Sequence, residues 1–284
     1  MRIWLTVLLS FGFLCAFSQF QIGLFGGVSD YTGDLLDKPY RFSRLAGGPT
    51  IGYQFSDRFT ARAGIIFGKI EGADSVSARY SSRNLSFQSK LTETAVIAEY
   101  NLFGMENLRW TPFVFTGLAV YHYNPYTYDR NNQKYYLQPL STEGQGLTQY
   151  PDRKPYELTK FSFPVGGGIK FTLTDQFYLT TQVGLRITNN DYLDDVSTTY
   201  VDEQVLLNAR GPKAAELSYR QRELPGGNQT YPREGASRGR TGKLIYKDFY
   251  YFSGLHLIYS FGGRESLGYR SKRSDLKRLK CVKM

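Results

Sequence analysis

In KFSFPVGGGIKFTL, Lys160 to Leu173, apolar residues fall on alternate positions: Phe161, Phe163, Val165, Ile169, Phe171 and Leu173 are separated by Ser162, Pro164, Gly166, Gly168, Lys170 and Thr172. A period of two is that of a strand with one apolar and one polar face. The glycine run lacks the spacing of a phosphate-binding loop and falls inside the strand, where it accommodates curvature or a large inner neighbour. The same period recurs in QFQIGLFGGVS (19–29), LAGGPTIGYQF (45–55), RFTARAGIIFGKI (58–70), LSFQSKLTETAVIAEYNLF (85–103), WTPFVFTGLAVYHY (110–123), FYLTTQVGLRIT (177–188) and DFYYFSGLHLIYSFG (248–262). In the fifth segment Phe113, Phe115, Ala119, Tyr121 and Tyr123 align as the apolar face.

The connections alternate in length. Little more than SDR, GMENL and TDQ separates strands two and three, four and five, and six and seven, whereas the other connections are long, the longest running from about 189 to 247. One end of the sheet is therefore trimmed and the other decorated, the pattern of an outer-membrane barrel. The expected fold is all-β: an eight-stranded antiparallel transmembrane β-barrel with long extracellular loops and short periplasmic turns. Its apolar face would meet lipid, its polar face would line the lumen, and eight strands leave an interior about filled by side chains. The competing architecture is a soluble barrel or sandwich with the apolar face inside.

Composition agrees with strands in a membrane: 23 Tyr, 20 Phe and 29 Gly suit interfacial aromatics and a curved sheet. The opening MRIWLTVLLSFGFLCAFS has a basic start, an apolar run and small residues at Ala16 and Ser18, which reads as a secretory signal over residues 1–18. Cleavage there would remove Cys15 and leave Cys281 without a disulfide partner. After residue 18 no apolar run approaches the ~20 residues a spanning helix needs. The barrel is expected over 19–262 and a basic periplasmic tail over 263–284. That tail holds Arg264, Arg270, Lys272, Arg273, Lys277, Arg278, Lys280 and Lys283 against Glu265 and Asp275, which is +6 of the chain's +10. It would suit acidic proteins or anionic head groups, and export argues against nucleic acid as a partner.

The stretch DYLDDVSTTYVD opens the longest loop with Asp191, Asp194, Asp195 and Asp202. Beyond the membrane these carboxylates would be solvated or ion-paired. Clustered carboxylates also suit Ca²⁺, although the spacing is not that of a calcium loop. Farther along, the loop turns basic, and either its arginines and lysines pair with the acidic start and fold the loop over the barrel mouth, or Gly226, Gly227, Gly235, Gly239 and Gly242 leave it a flexible, mixed-charge surface loop. Enzymatic constellations are thin. His122 and His256 could serve a barrel hydrolase or acyltransferase, but no G-x-S-x-G, H-E-x-x-H or Cys pair accompanies them. No cofactor is expected.

Together GLFGGVSDYTGDL, QPLSTEGQG (Gln138 to Gly146), FPVGGGIKF and DYLDDVSTTYVD resemble the PorG-like outer-membrane β-barrel proteins of the Bacteroidetes, associated with type IX secretion and gliding motility. The resemblance implies an OmpA/OmpX-like barrel in the outer membrane of a Gram-negative bacterium, set in lipid and without catalytic residues. It further implies a component of the protein-transport apparatus whose partners are the periplasmic ring lipoprotein, that lipoprotein's own partner, and the translocon. Motif positions Tyr31, Gly33, Asp34, Thr142, Glu143, Gly144, Asp191, Tyr192, Leu193, Asp194, Asp195 and Tyr200 become candidates for loop structure or partner contact. The Arg-rich stretch after Val205 has no counterpart in that pattern. A stand-alone adhesin or small-solute channel, and a barrel enzyme acting on lipid, are the alternatives.

Overall fold

A computed structural model of the chain describes residues 19–36, 38–77, 80–105, 108–239 and 247–262. The expected signal with Cys15 and the basic tail with Cys281 lie outside the described residues. Alternating segments become strands β1 (Phe20–Thr32), β2 (Arg44–Gln54), β3 (Phe59–Ala73), β4 (Ser86–Asn101), β5 (Trp110–Tyr128), β7 (Thr159–Thr172), β8 (Phe177–Thr188) and β9 (Phe249–Ser260). A short β6 (Lys134–Tyr136) folds back on the end of β5. Each long strand pairs antiparallel with its neighbours, β4 with β5 included, and β1 pairs with β9 from Gln21↔Ser260 to Thr32↔Phe249. The sheet is therefore a closed eight-stranded antiparallel β-barrel. Closure leaves no strand edge to be satisfied by solvent.

Residues 55–58, 102–105 with 108–109, and 173–176 lie at the turns of one end. The last is a tight reversal in which the Leu173 N–H donates to the Phe177 carbonyl at 2.9 Å and the Phe177 N–H to Thr174 Oγ1 at 3.1 Å. Around this trimmed end aromatic rings touch edge to face, Phe20 on Tyr53 at 5.1 Å and Tyr53 on Phe55 at 4.9 Å, with Phe177, Tyr259 and Phe261 continuing the series. Such a girdle suits a membrane–water interface. Between the girdle and the loops the outward positions are apolar and bare, Phe161 at 71% exposure and Leu118 at 60% among them, with Ile22, Leu24, Ile65, Val96, Val183 and Leu257 on the other strands. A compact chain that leaves so continuous an apolar surface uncovered is built to be covered by lipid. Among the described residues no helix is long and apolar enough to cross a membrane.

Strand β5 corrects the facing expected from its sequence. Phe113, Phe115, Ala119, Tyr121 and Tyr123 are buried in the lumen, and Val114, Leu118 and Val120 face outward. Both faces of this strand are apolar, so alternation alone could not tell inside from outside. Room for the rings comes from the glycines. Phe115 pairs with Gly166 and Gly166 with Gly184, and a Cβ on either glycine would approach the Phe115 ring to 2.6 or 2.7 Å. The inner-neighbour reading of the glycine run in β7 is realised at Gly166.

Charged groups fill what the rings leave. Arg186, 1% exposed, donates to Glu93 through Nη2 at 3.0 Å and Nε at 3.1 Å, and the Tyr250 hydroxyl donates to Glu93 at 2.8 Å. Lys170 pairs with Glu99, and Arg62 lies 3.9 Å from the same carboxylate. Arg62 also donates to His256 Nδ1 at 2.6 Å. A guanidinium can only donate, so the imidazole proton is on Nε2, which donates to Thr50 Oγ1 at 2.7 Å. A residual cavity of about 20 Å³ remains between Arg62, Gln182 and Arg186. Eight strands leave an interior about filled by side chains.

Placing a charge on the outward face tests the arrangement. Leu118→Arg, near the middle of the apolar belt, should lower the unfolding free energy in lipid vesicles by about 2–4 kcal/mol in urea titrations, whereas Asp152→Arg in the exposed loop before β7 should leave it unchanged.

Candidate functional site

Over the decorated end the loops form a folded cap. The acidic stretch, expected to be solvated or ion-paired, turns inward: Asp194 and Asp195 are buried. Asp194 accepts from the Tyr31 hydroxyl at 2.5 Å, the Leu35 N–H at 3.1 Å and the Val196 N–H at 3.0 Å. Asp248 accepts from the Leu193 N–H at 2.9 Å and lies 3.2 Å from the Tyr31 hydroxyl. Gly33 is glycine because of this knot, since a Cβ there would fall 1.9 Å from the Tyr31 hydroxyl and 2.0 Å from Asp248 Oδ1. Burial, reinforced by the charges of Asp34 and Asp194, pushes the Asp248 carboxyl up, and burial together with Asp34 does the same to Asp194.

A second centre is Arg238. Its Nη1 donates to Glu143 Oε1 at 3.2 Å and to the Asp195 carbonyl at 2.6 Å, and Nη2 lies 3.8 Å from Asp195 Oδ2. Thr142 and Tyr156 donate to the same Asp195 carboxylate, Tyr156 at 2.7 Å. Glu143 receives the Ser197 and Thr198 N–H groups at 3.0 and 2.9 Å. Gly144, at φ 77°, turns the chain just after it. Burial raises the Asp195 carboxyl while the Arg238 guanidinium draws it back, leaving it at about 6. Arg83 ties the cap to the barrel. It grips Asp74 through Nε at 2.7 Å and Nη2 at 2.6 Å and donates to the backbone carbonyls of Asp34 and Arg238.

Above these centres lie helices α1 (Glu203–Arg210) and α2 (Pro212–Ser218). Asp202 begins α1 as its cap, accepting from the Val205 N–H at 3.0 Å. Leu147, Val201, Leu206, Ala214 and Ala215 form a separate apolar cluster, and Tyr200, Tyr219 and Tyr231 pack edge to face beside it. The described part of the Arg-rich stretch, up to residue 239, is thus folded, with Arg222 on Glu203 at 2.5 Å and Lys213 on Asp129 at 2.8 Å.

The motif positions converge beneath this cap. Tyr31, Asp34, Thr142, Glu143, Leu193, Asp194, Asp195 and Tyr200 are buried, Asp191 and Tyr192 partly so. The four carboxylates read from the sequence as a calcium set do not form one: Asp202 is an exposed helix cap and Asp195 belongs to Arg238. Asp34, Asp191 and Asp248 instead bring one oxygen each within 4.8 Å of one another. That set suits a hard divalent cation, and protons retained on Asp194 and Asp248 are the other way to neutralise the knot. His256 is enclosed in the lumen, while His122 is exposed on the barrel's outer side and meets Thr159 Oγ1 at 2.9 Å. They share no site. Arg83, Asp74, Asp248 and Arg238 were not separable by sequence, since nothing distinguishes Arg238 from the other arginines of its Gly-rich surroundings.

A closed eight-stranded barrel with an apolar exterior, a filled interior and a folded cap defines the class. The chain belongs to the family described as a domain of unknown function, DUF6089, whose model matches residues 1–208 and so ends within α1, before β9. No curated protein matches the chain. Among solved structures it is similar to Neisserial surface protein A (8% identity, 86% of this chain and 97% of that one, TM-score 0.42). Similar too are Ail, the attachment invasion locus protein of Yersinia pestis (8%, 84% and 96%, TM-score 0.39), and the outer membrane protein OprG from Pseudomonas aeruginosa (9%, 84% and 95%, TM-score 0.36).

Two outcomes follow for the cap. Arg238→Met leaves Glu143 and Asp195 buried without their cation, at a cost of about 3–5 kcal/mol, so limited proteolysis should cut between β8 and β9 while the barrel keeps its heat-modifiable migration on gels. The pH dependence has a definite sign. A carboxyl raised on folding stabilises below its unfolded value of about 4, and that contribution is lost as pH rises through the folded value of about 6. The cap should resist protease better at about pH 4 than at about pH 8, the loss beginning at the unfolded value of about 4, running through 6 for Asp195 and continuing above it as Asp194 and Asp248, also raised by burial, give up their protons.

Proposed function

We propose that this chain is a non-enzymatic outer-membrane component of the type IX protein secretion system, a barrel that anchors or organises the periplasmic ring and translocon. The observation that carries this reading is the occupied interior. A lumen packed by Glu93, Arg186, Phe113, Phe115 and Tyr250 beneath a folded cap favours a role that uses the barrel's position in the membrane and its two ends over solute passage. The motifs shared with the PorG-like proteins supply the particular apparatus. The basic tail, expected on the trimmed side, supplies a segment to meet periplasmic partners.

One observation favours a second reading. The cap carries its own apolar cluster and two helices on the decorated side, which suits a surface-exposed adhesin.

Crosslinking in intact envelopes followed by pulldown separates them. The secretion role predicts recovery of the periplasmic ring lipoprotein with the barrel, and loss of cargo export on clean deletion. Recovery of the barrel alone, with export unchanged, would leave the adhesin reading.

A further inference from the structure

At the outer end of the apolar belt the outward face of β3, β4 and β5 turns basic. The register sets Lys69 directly opposite Lys90 and Lys90 opposite Asn124, so the two ammonium groups share one face. One row closer to the middle of the belt, that face carries Phe67, 56% exposed, opposite Thr92. Like charges directly opposite one another destabilise a strand pair unless an anion joins them. The local carboxylate does not suffice. Glu71 is engaged by Arg44 at 2.5 Å and lies 3.9 Å from Lys69, which donates to Gln88 at 2.9 Å instead. Lys90 is exposed, and among the described residues its ammonium has no hydrogen bond or ion pair. A third ammonium, Lys134 on β6, is held 3.7 Å from the centre of the Tyr126 ring and 4.5 Å from that of Tyr136. Tyr126 stands opposite Gln88, one row beyond Lys90 on the same face.

The geometry points to a site for the headgroup phosphate of an anionic membrane lipid, held by Lys69, Lys90 and Lys134, with the lipid's acyl chains lying on Phe67 and the apolar surface that continues from it. Charge complementarity selects an anion. Continuity with the belt selects one that carries hydrocarbon, which an acidic peptide lacks. The inference rests on the membrane reading of the barrel and is independent of the secretion role.

The test uses the full chain in neutral detergent micelles, titrated with phosphatidic acid and with diacylglycerol of the same chains. The phosphate-bearing lipid should bind at least about tenfold more tightly. The double variant Lys69→Gln/Lys90→Gln should lose that preference and Lys69→Arg should keep it, all with unchanged heat-modifiable migration as the folding control. Equal binding of the two lipids, or an unaltered preference in the double variant, overturns the proposal. So does inorganic phosphate or polyglutamate binding as tightly as the lipid with the same lysine dependence, the first meaning a free-anion site and the second a protein-docking surface. A chain that stays dissolved and compact without detergent defeats the membrane reading itself, and that is seen before any titration.

Discussion

The structure depends on the seam between β1 and β9. Every residue from Gln21 to Thr32 has its partner between Ser260 and Phe249, and this ladder converts an open sheet into a cylinder. An unpaired strand edge is tolerable in water and prohibitive in hydrocarbon, where nothing can replace the missing hydrogen bonds. Closure at eight strands also sets the diameter, and the diameter dictates that side chains must fill the interior.

The filling combines two devices. The Phe115 ring of β5 lies against Gly166 and Gly184 and the Phe252 ring of β9 near Gly68 on β3, and where rings stop, carboxylates and cations meet in pairs. Glu93 receives both Arg186 and Tyr250, so its buried charge is met inside the lumen. Removing one member of such a pair costs more than the pair contributes. The cap repeats the logic outside the membrane with Arg238 between Glu143 and Asp195, and with Arg83 joining cap to barrel. The described loops thus cover one end of a cylinder whose interior is about filled by side chains.

Much of this was legible because strand periodicity and loop asymmetry are local signals. The segment Lys160–Leu173 displays its facing residue by residue, and the turns at 55–58 and 173–176 show which end is trimmed. Strand β5 was misread for a physical reason: in a narrow barrel the inner face can be as apolar as the outer, and Phe113 and Val114 differ only in which neighbours they meet. The cap was partly legible. DYLDDVSTTYVD marked a place where charge needs an explanation, and folding of the loop by acid–base pairing was one of the two open readings. Its partners, Tyr31, Glu143, Asp248 and Arg238, are drawn from four distant stretches, and no spacing in the sequence encodes that meeting. The same distance hid the replacement of Asp195 and Asp202 by Asp34 and Asp248 as neighbours of Asp191.

The central claim is that the apolar face of each strand meets lipid while the other face is enclosed. Site-directed spin labelling along β7 in a background lacking Cys281 tests it most directly, with a nitroxide placed in turn at each position from Phe161 to Phe171 in lipid vesicles. Oxygen accessibility should alternate with a period of two, high at Phe161, Phe163, Val165, Ile169 and Phe171 and low at Ser162 and Lys170, and the water-soluble collider should reach neither set. Loss of the alternation, or access of the water-soluble collider to the Phe161–Val165 side, would contradict the account.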